Sequence, residues 1–241
     1  MPGSKNRVNR RPRGSLSREL ILDAAERLAR SGVDQVTIRA VAAEAQAAPM
    51  ALYNHFHSKE ELVDALLDRV FGRLRLPRHS GNWLLDIQRF ARAHRRFLET
   101  VPWALPGFFR NPFPGPNTAR ATEFVLSVLA EAGFSTRDAV GVLSGIVALN
   151  YGATMFMIGK ASGGGEAARL AMAGLSRADS PSTVAAVGEL ADARRWRNEM
   201  MLNWLLAGVE GWHQPPKTED PRQTPPALIP QSRGLLGKSR T

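Results

Sequence analysis

Thr37 and Pro49 can each open a helix, and they stand only twelve residues apart. Thr37 can cap a segment from Ile38 to about Ala45, in which Ile38, Val41, Ala42 and Ala45 share one face. Pro49 suits the first turn of a second helix reaching His55, because the N–H it lacks would be unpaired there anyway. Two helices this short cannot build a core alone, so their neighbours must supply it. Upstream, Ser17 can cap a helix to Arg30 with Leu20, Ile21, Ala24, Ala25 and Leu28 on one side, stopped by Ser31-Gly32. Downstream, Ser58-Lys59-Glu60-Glu61 is a capping box ahead of the stripe Leu62, Leu66, Val70 and Leu74, with Pro77 as the expected end. The pattern predicts a helix-turn-helix inside a small helical head. Its second helix needs only Leu52 and Phe56 inward, which leaves Ala48, Met50, Ala51, Tyr53, Asn54 and His55 outward.

The rest of the 241 residues reads as helix too. Trp83 to Val101 puts Ile87, Phe90, Ala91, His94, Phe97 and Leu98 on one face. Residues 102–116 hold five prolines and four large aromatics and predict a loop with about one helical turn. Helices are expected over Asn117–Ala132, Ser135–Gly159 and 182–213, the last ending in a segment of about Arg194 to Trp212 that gathers Trp196, Met200, Trp204 and Leu205. No useful run alternates with period two, so the fold class is all-α. Four regions follow: a disordered basic arm (1–15), a helix-turn-helix head (16–76), a helical body (77–213) and a proline-rich disordered tail (214–241). Residues 160–180, with Gly163-Gly164-Gly165, read as a mobile linker.

Charge narrows the partner. The formal net charge is +10, and Lys5, Arg7, Arg10, Arg11 and Arg13 supply half of it within fifteen residues that hold no acid. Such an arm suits a polyanion, and Arg11-Pro12-Arg13-Gly14 suits the minor groove of DNA. The absence of cysteine excludes disulfides, cysteine-based zinc fingers and thiol nucleophiles. The five histidines form no recognisable ligand set, and His55 and His57 lack a third partner nearby, so no metal and no cofactor is expected. Without a Ser/His/Asp arrangement or a phosphate loop, the chain reads as no enzyme. Residues 139–159 are uncharged over a length that could span a bilayer, but Asn150, Ser144, Thr154 and four glycines favour a buried bundle helix over a membrane span. With no apolar run behind the basic N-terminus, no secretory signal is expected.

Thr37-Ile38-Arg39, Val41-Ala42, Ala51-Leu52-Tyr53-Asn54-His55-Phe56 and Ser58-Lys59-Glu60-Glu61-Leu62 together resemble the TetR (tetracycline-repressor-like) family of bacterial transcriptional regulators. Residues 83–212 more loosely resemble its C-terminal domain, through Gly115-Pro116-Asn117 and the final Trp204–Glu210 segment. The resemblance implies that Thr37, Tyr53 and Lys59 meet phosphates, and that Arg39 reads a base edge. Pro49, Met50, Ala51, Asn54 and His55 would form the recognition surface, with Asn54 suited to adenine and Ala51 or Met50 to a thymine methyl. One residue departs from the family: Gln46 stands where glycine is usual in the turn.

The same resemblance implies a cytoplasmic, nucleoid-associated homodimer on a palindromic double-stranded operator. The helices at 135–159 and 194–212 would pair with their symmetry mates, helped by Gly141 and Gly145. A small-molecule effector would enter the C-terminal body and move the fourth helix, releasing a repressor. Candidate pocket residues are His94, Trp103, Phe108, Phe109, Asn117, Asn150, Tyr151, Thr154 and Met155, with Asn150 foremost because an amide in an apolar helix wants a partner. The alternative is a nonspecific or architectural DNA-binding protein driven by the basic arm.

Overall fold

The computed structural model describes residues 16–159, 173–174, 179–192 and 197–213. The basic arm, most of the expected linker, Trp196 and the C-terminal tail lie outside these residues. The described residues hold helices and no strand.

The head starts with α1 (Arg18–Ala29), capped by the Ser17 side chain, which accepts from the Leu20 N–H. In α2 (Ile38–Glu44) the Thr37 hydroxyl accepts from the Ala40 N–H at 3.1 Å, as its sequence position predicts. This helix closes with the Ala47 N–H on the Ala42 carbonyl and the Gln46 N–H on the Ala43 carbonyl. That paired pattern requires a left-handed residue after the cap. Gln46 fills the position at φ 55°, whereas the same closure after the seventh helix uses Gly133 at φ +88°. A Cβ at such a φ is strained, and glycine would cost only some extra unfolded-state entropy. Gln46→Gly is therefore expected to raise stability by about 0.5–1 kcal/mol, read as a higher denaturant midpoint.

The next helix, α3 (Pro49–Leu52), is shorter than its sequence suggests, and Tyr53 to His55 form a turn. The His55 and Phe56 N–H groups both donate to the Leu52 carbonyl, and this turn swings Phe56 into the core. In α4 (Lys59–Phe71) the Ser58 hydroxyl accepts from the Glu61 N–H, but Glu61 reaches back to the His57 N–H rather than to that of Ser58. This helix ends at Gly72, not at Pro77, and Leu74 is buried just beyond it. Glu26 of α1 holds Arg69 of α4 and Arg73 just beyond it at 2.5–2.8 Å. Burial works to raise the Glu26 carboxyl, but the two guanidiniums outweigh it and hold the group below its ordinary range.

In the body, α5 (Trp83–Thr100) is capped by Asn82 and buries the whole predicted stripe, Ile87 to Leu98, together with Asp86. The proline-rich stretch holds more helix than expected: a 3-10 turn at Pro102–Ala104 runs into α6 (Leu105–Arg110). Proline is tolerated in these first turns. Gly107 lets α6 close on α4, since a Cβ there would sit 2.7 Å from Leu67. Then come α7 (Pro116–Glu131), α8 (Thr136–Gly159), α9 (Pro181–Asp192) and α10 (Arg197–His213). α8 packs against α5, α7 and α10, and Arg92 of α5 is bonded to Glu199 of α10. By length and composition Thr136–Ile158 could cross a membrane, but its buried face carries Asn150 and Thr154 against the body's own helices.

Candidate functional site

Leu52 and Phe56, both fully buried, anchor the short α3, so its remaining side chains must face out. Pro49 and Asn54 are exposed, as are Met50 and Tyr53, at 73% and 43%. Ala51 and His55 are half-buried at the edge of this face. Thr37 and Arg39, at the start of α2, are exposed. Lys59 is half-buried in the first turn of α4. A protruding face of this kind, small or flat and uncharged apart from the flanking Arg39 and Lys59, is what a major-groove reader presents.

Arg18 sets the far end of that face. Its guanidinium lies 4.1 Å from the Phe56 ring centroid, donates to the His55 carbonyl at 2.9 Å and pairs with Glu61 at 3.6 Å. One side chain therefore ties α1 to the turn after α3 and to the start of α4. Nothing in the helical spacing marks this role, because Arg18 reads as an exposed first-turn residue.

The expected pocket residues divide into three sets. His94, Asn150, Tyr151, Thr154 and Phe108 are buried together in the body. The Asn150 amide donates to the Ala91 carbonyl at 3.0 Å and meets the His94 Nδ1 at 3.2 Å, so the partners that its place in an apolar helix demands come from α5. His94 stacks on Phe90 at 5.8 Å, with Phe71 and Tyr151 about it at 6.1 and 6.0 Å. Burial lowers the His94 imidazole to about 4 and raises the Tyr151 phenol to about 12, so both are neutral near pH 7. Trp103 is half-buried, Phe109 and Met155 are exposed, and Phe109 meets Tyr151 of this set edge-on at 5.0 Å. Asn117 lies elsewhere, bonded to Asp68 of α4 where the head meets the body. An open cleft of about 690 Å³ also lies there, between Arg18, Leu22 and Asp64 of the head and Pro114, Pro116 and Asn117 of the body.

Residues 21–66 match the family of bacterial regulatory proteins, tetR family, and residues 76–210 match the tetracyclin repressor-like C-terminal domain. An HTH-type transcriptional regulator of Saccharopolyspora erythraea is 40% identical over 138 residues, which is 56% of this chain and 58% of the relative. The HTH-type transcriptional repressor DrrR1 of Streptomyces coeruleorubidus is 29% identical over 140 residues, 57% of this chain and 52% of the relative. The chain thus spans little more than half the length of these curated relatives. Among solved structures, the Streptomyces coelicolor TetR family protein ActR in complex with actinorhodin shares the fold, with a TM-score of 0.71 at 20% identity over 84% of this chain and all of that one. With one match on the head and a second covering more than half of its length, the chain belongs to the TetR family of bacterial regulatory proteins.

Proposed function

We propose that the protein is a dimeric, sequence-specific DNA-binding transcriptional regulator, a repressor that a small molecule releases from a palindromic operator. The outward face of α3, exposed over the buried Leu52 and Phe56, carries this reading. Arg39 reads a base edge, while Thr37, Tyr53 and Lys59 hold phosphates. Pro49, Met50, Ala51, Asn54 and His55 form the surface between them. The basic arm at 1–15 adds sequence-independent attraction. Repressor names among the relatives and actinorhodin in ActR support a ligand-released repressor. The effector site proposed here is the body set built on His94, Asn150, Tyr151 and Thr154, with Trp103, Phe108, Phe109 and Met155 around it.

Dimerisation would use α8 and α10. Val140, Ser144, Ala148 and Met155 are exposed on α8, and Met201, Trp204, Gly208 and Trp212 on α10, opposite the buried Leu202 and Leu206. Leu205 of α10 lies beside Gly145, 3.4 Å from where its Cβ would stand, an ordinary contact distance, and Gly141 faces open space. Trp204 is 63% exposed, an unusual position for an indole without a partner surface. Trp204→Glu is expected to yield a monomer in sedimentation and to weaken operator binding by about a hundredfold, because the second half-site contact is lost.

The test of the function is selection of bound sequences from a random DNA pool at near-physiological salt. An inverted repeat with half-site centres about 34–36 Å apart supports the proposal. Binding that enriches nothing and vanishes as salt rises would overturn it in favour of nonspecific, arm-driven binding. On a selected site, Lys59→Ala and Tyr53→Phe are expected to weaken all sequences alike, and Arg39→Ala also to relax one base preference per half-site by about tenfold. An unchanged preference for Arg39→Ala would remove its base-reading role.

A further inference from the structure

α7 begins without a cap of its own. Gly115 has no side chain to offer, and Pro116 has no N–H. The first two free N–H groups of the helix, on Asn117 and Thr118, donate instead to Asp68 Oδ1 at 2.9 and 3.3 Å. Asp68 sits in the last turn of α4, 49 residues upstream of Asn117. The Asn117 amide completes the joint, donating to Asp68 Oδ2 at 2.9 Å and to the Asp68 carbonyl at 3.2 Å. Asp68 is buried.

The backbone is shaped for this contact. A Cβ on Gly115 would stand 2.6 Å from the Asp68 Cγ, and one on Gly72 would stand 3.0 Å from Asn117. Glycine on each side therefore lets carboxylate and amide approach. Toward Arg18 and Leu22, by contrast, head and body are parted by the open cleft, so that face leaves room for the head to tilt.

We infer that the Asp68–Asn117 joint fixes the angle of the head on the body, making Asp68 the positioning residue that selects the spacing between operator half-sites. The inference rests on the DNA-binding reading above. Geometry gives its size. Lys59 lies nine residues before Asp68 on the same helix, about 13 Å along its axis. A tilt of about 10° at Asp68 moves Lys59 by about 2 Å, and the two heads of a dimer by up to about 4 Å relative to each other. One base pair adds about 3.4 Å of rise and about 35° of twist, so loosening the joint by that angle covers the rise and weakens the preference for one spacing over its neighbours.

The experiment presents the full-length protein with inverted repeats whose central spacer differs by single base pairs. The wild-type protein is expected to prefer one spacer over its neighbours by about tenfold, a typical cost for one misplaced contact set. Asp68→Ala is expected to cut that preference below about threefold while leaving base preferences within each half-site intact. Asn117→Ala, which keeps the backbone N–H cap, is expected to fall between the two. A folded Asp68→Ala protein with the wild-type spacer profile would overturn the inference. Should Asp68→Ala fail to fold, an unchanged profile for Asn117→Ala overturns it equally. Enrichment of no repeat by the wild-type protein removes the DNA-binding reading itself, and that outcome is read before any variant is compared.

Discussion

Replacing Phe56 by Ala is expected to destabilise the protein by about 3–5 kcal/mol, the usual cost of truncating a fully buried phenylalanine. The site gives little scope for collapse. Phe56 is fully buried, and α3 has only four helical residues, so Phe56 and Leu52 carry nearly all of its attachment to the head. Truncation also removes the ring on which Arg18 rests, and with it part of the brace between α1, the turn after α3 and α4. Chemical denaturation would read the loss. DNA binding should fall even where the variant remains folded, because the outward residues of α3 depend on that anchor. A loss below about 1 kcal/mol would mean that α3 is held by contacts other than this ring.

The second large effect is a pH dependence centred on His94. Its Nδ1 faces the Asn150 Nδ2, which can only donate, so the ring accepts there and carries its proton on Nε2. Its aromatic neighbours are Phe71, Phe90 and Tyr151, and the Tyr151 phenol stays neutral through the acid range. Burial holds the imidazole near 4 against 6.5 when exposed. The unfolded chain therefore binds a proton that the folded chain refuses across that interval. Stability from this group is complete above about pH 6.5 and falls as pH drops toward 4, by about 3 kcal/mol in all. Glu26, Asp86 and Glu199 have carboxyls held below their ordinary values, so their losses come at lower pH. His94→Gln, which can still accept from Asn150, should flatten the unfolding free energy between pH 6.5 and 4.5. An equal slope in variant and wild type would place the titrating group elsewhere.

Much of this architecture is written locally. Ser17, Thr37 and Ser58 cap the helices their positions predict, because a hydroxyl three residues before an N–H needs no distant partner. The buried stripe of α5 follows from its 3.6-residue period. The outward set on α3 is legible for the same reason, once Leu52 and Phe56 are taken as the inward pair. What the sequence hides is set by tertiary approach. α4 stops at Gly72, five residues before Pro77, at a position where a Cβ would meet Asn117. Asn117 has the residue type of a pocket group, yet it belongs to the joint with Asp68, a pairing that no local pattern announces. Arg18 has the spacing of a solvated arginine and instead joins α1 to the turn after α3 and to the start of α4. Gln46 is the intermediate case: a turn that usually takes glycine is visible in the sequence, and the left-handed φ is its outcome.

The borrowed cap of α7 bears on how such chains can be recombined. A chimera that takes its head from this protein and its body from another, joined in the irregular stretch at 74–82, would put Asp68 and the N–H groups at 117 and 118 under different parentage. Its α7 would open with unpaired donors unless the second parent offered the same glycine, proline and amide in register. A seam drawn for chain continuity is therefore not the seam of the hydrogen bonding. The transplantable unit is the head together with residues 115–118, which the chain itself holds far apart.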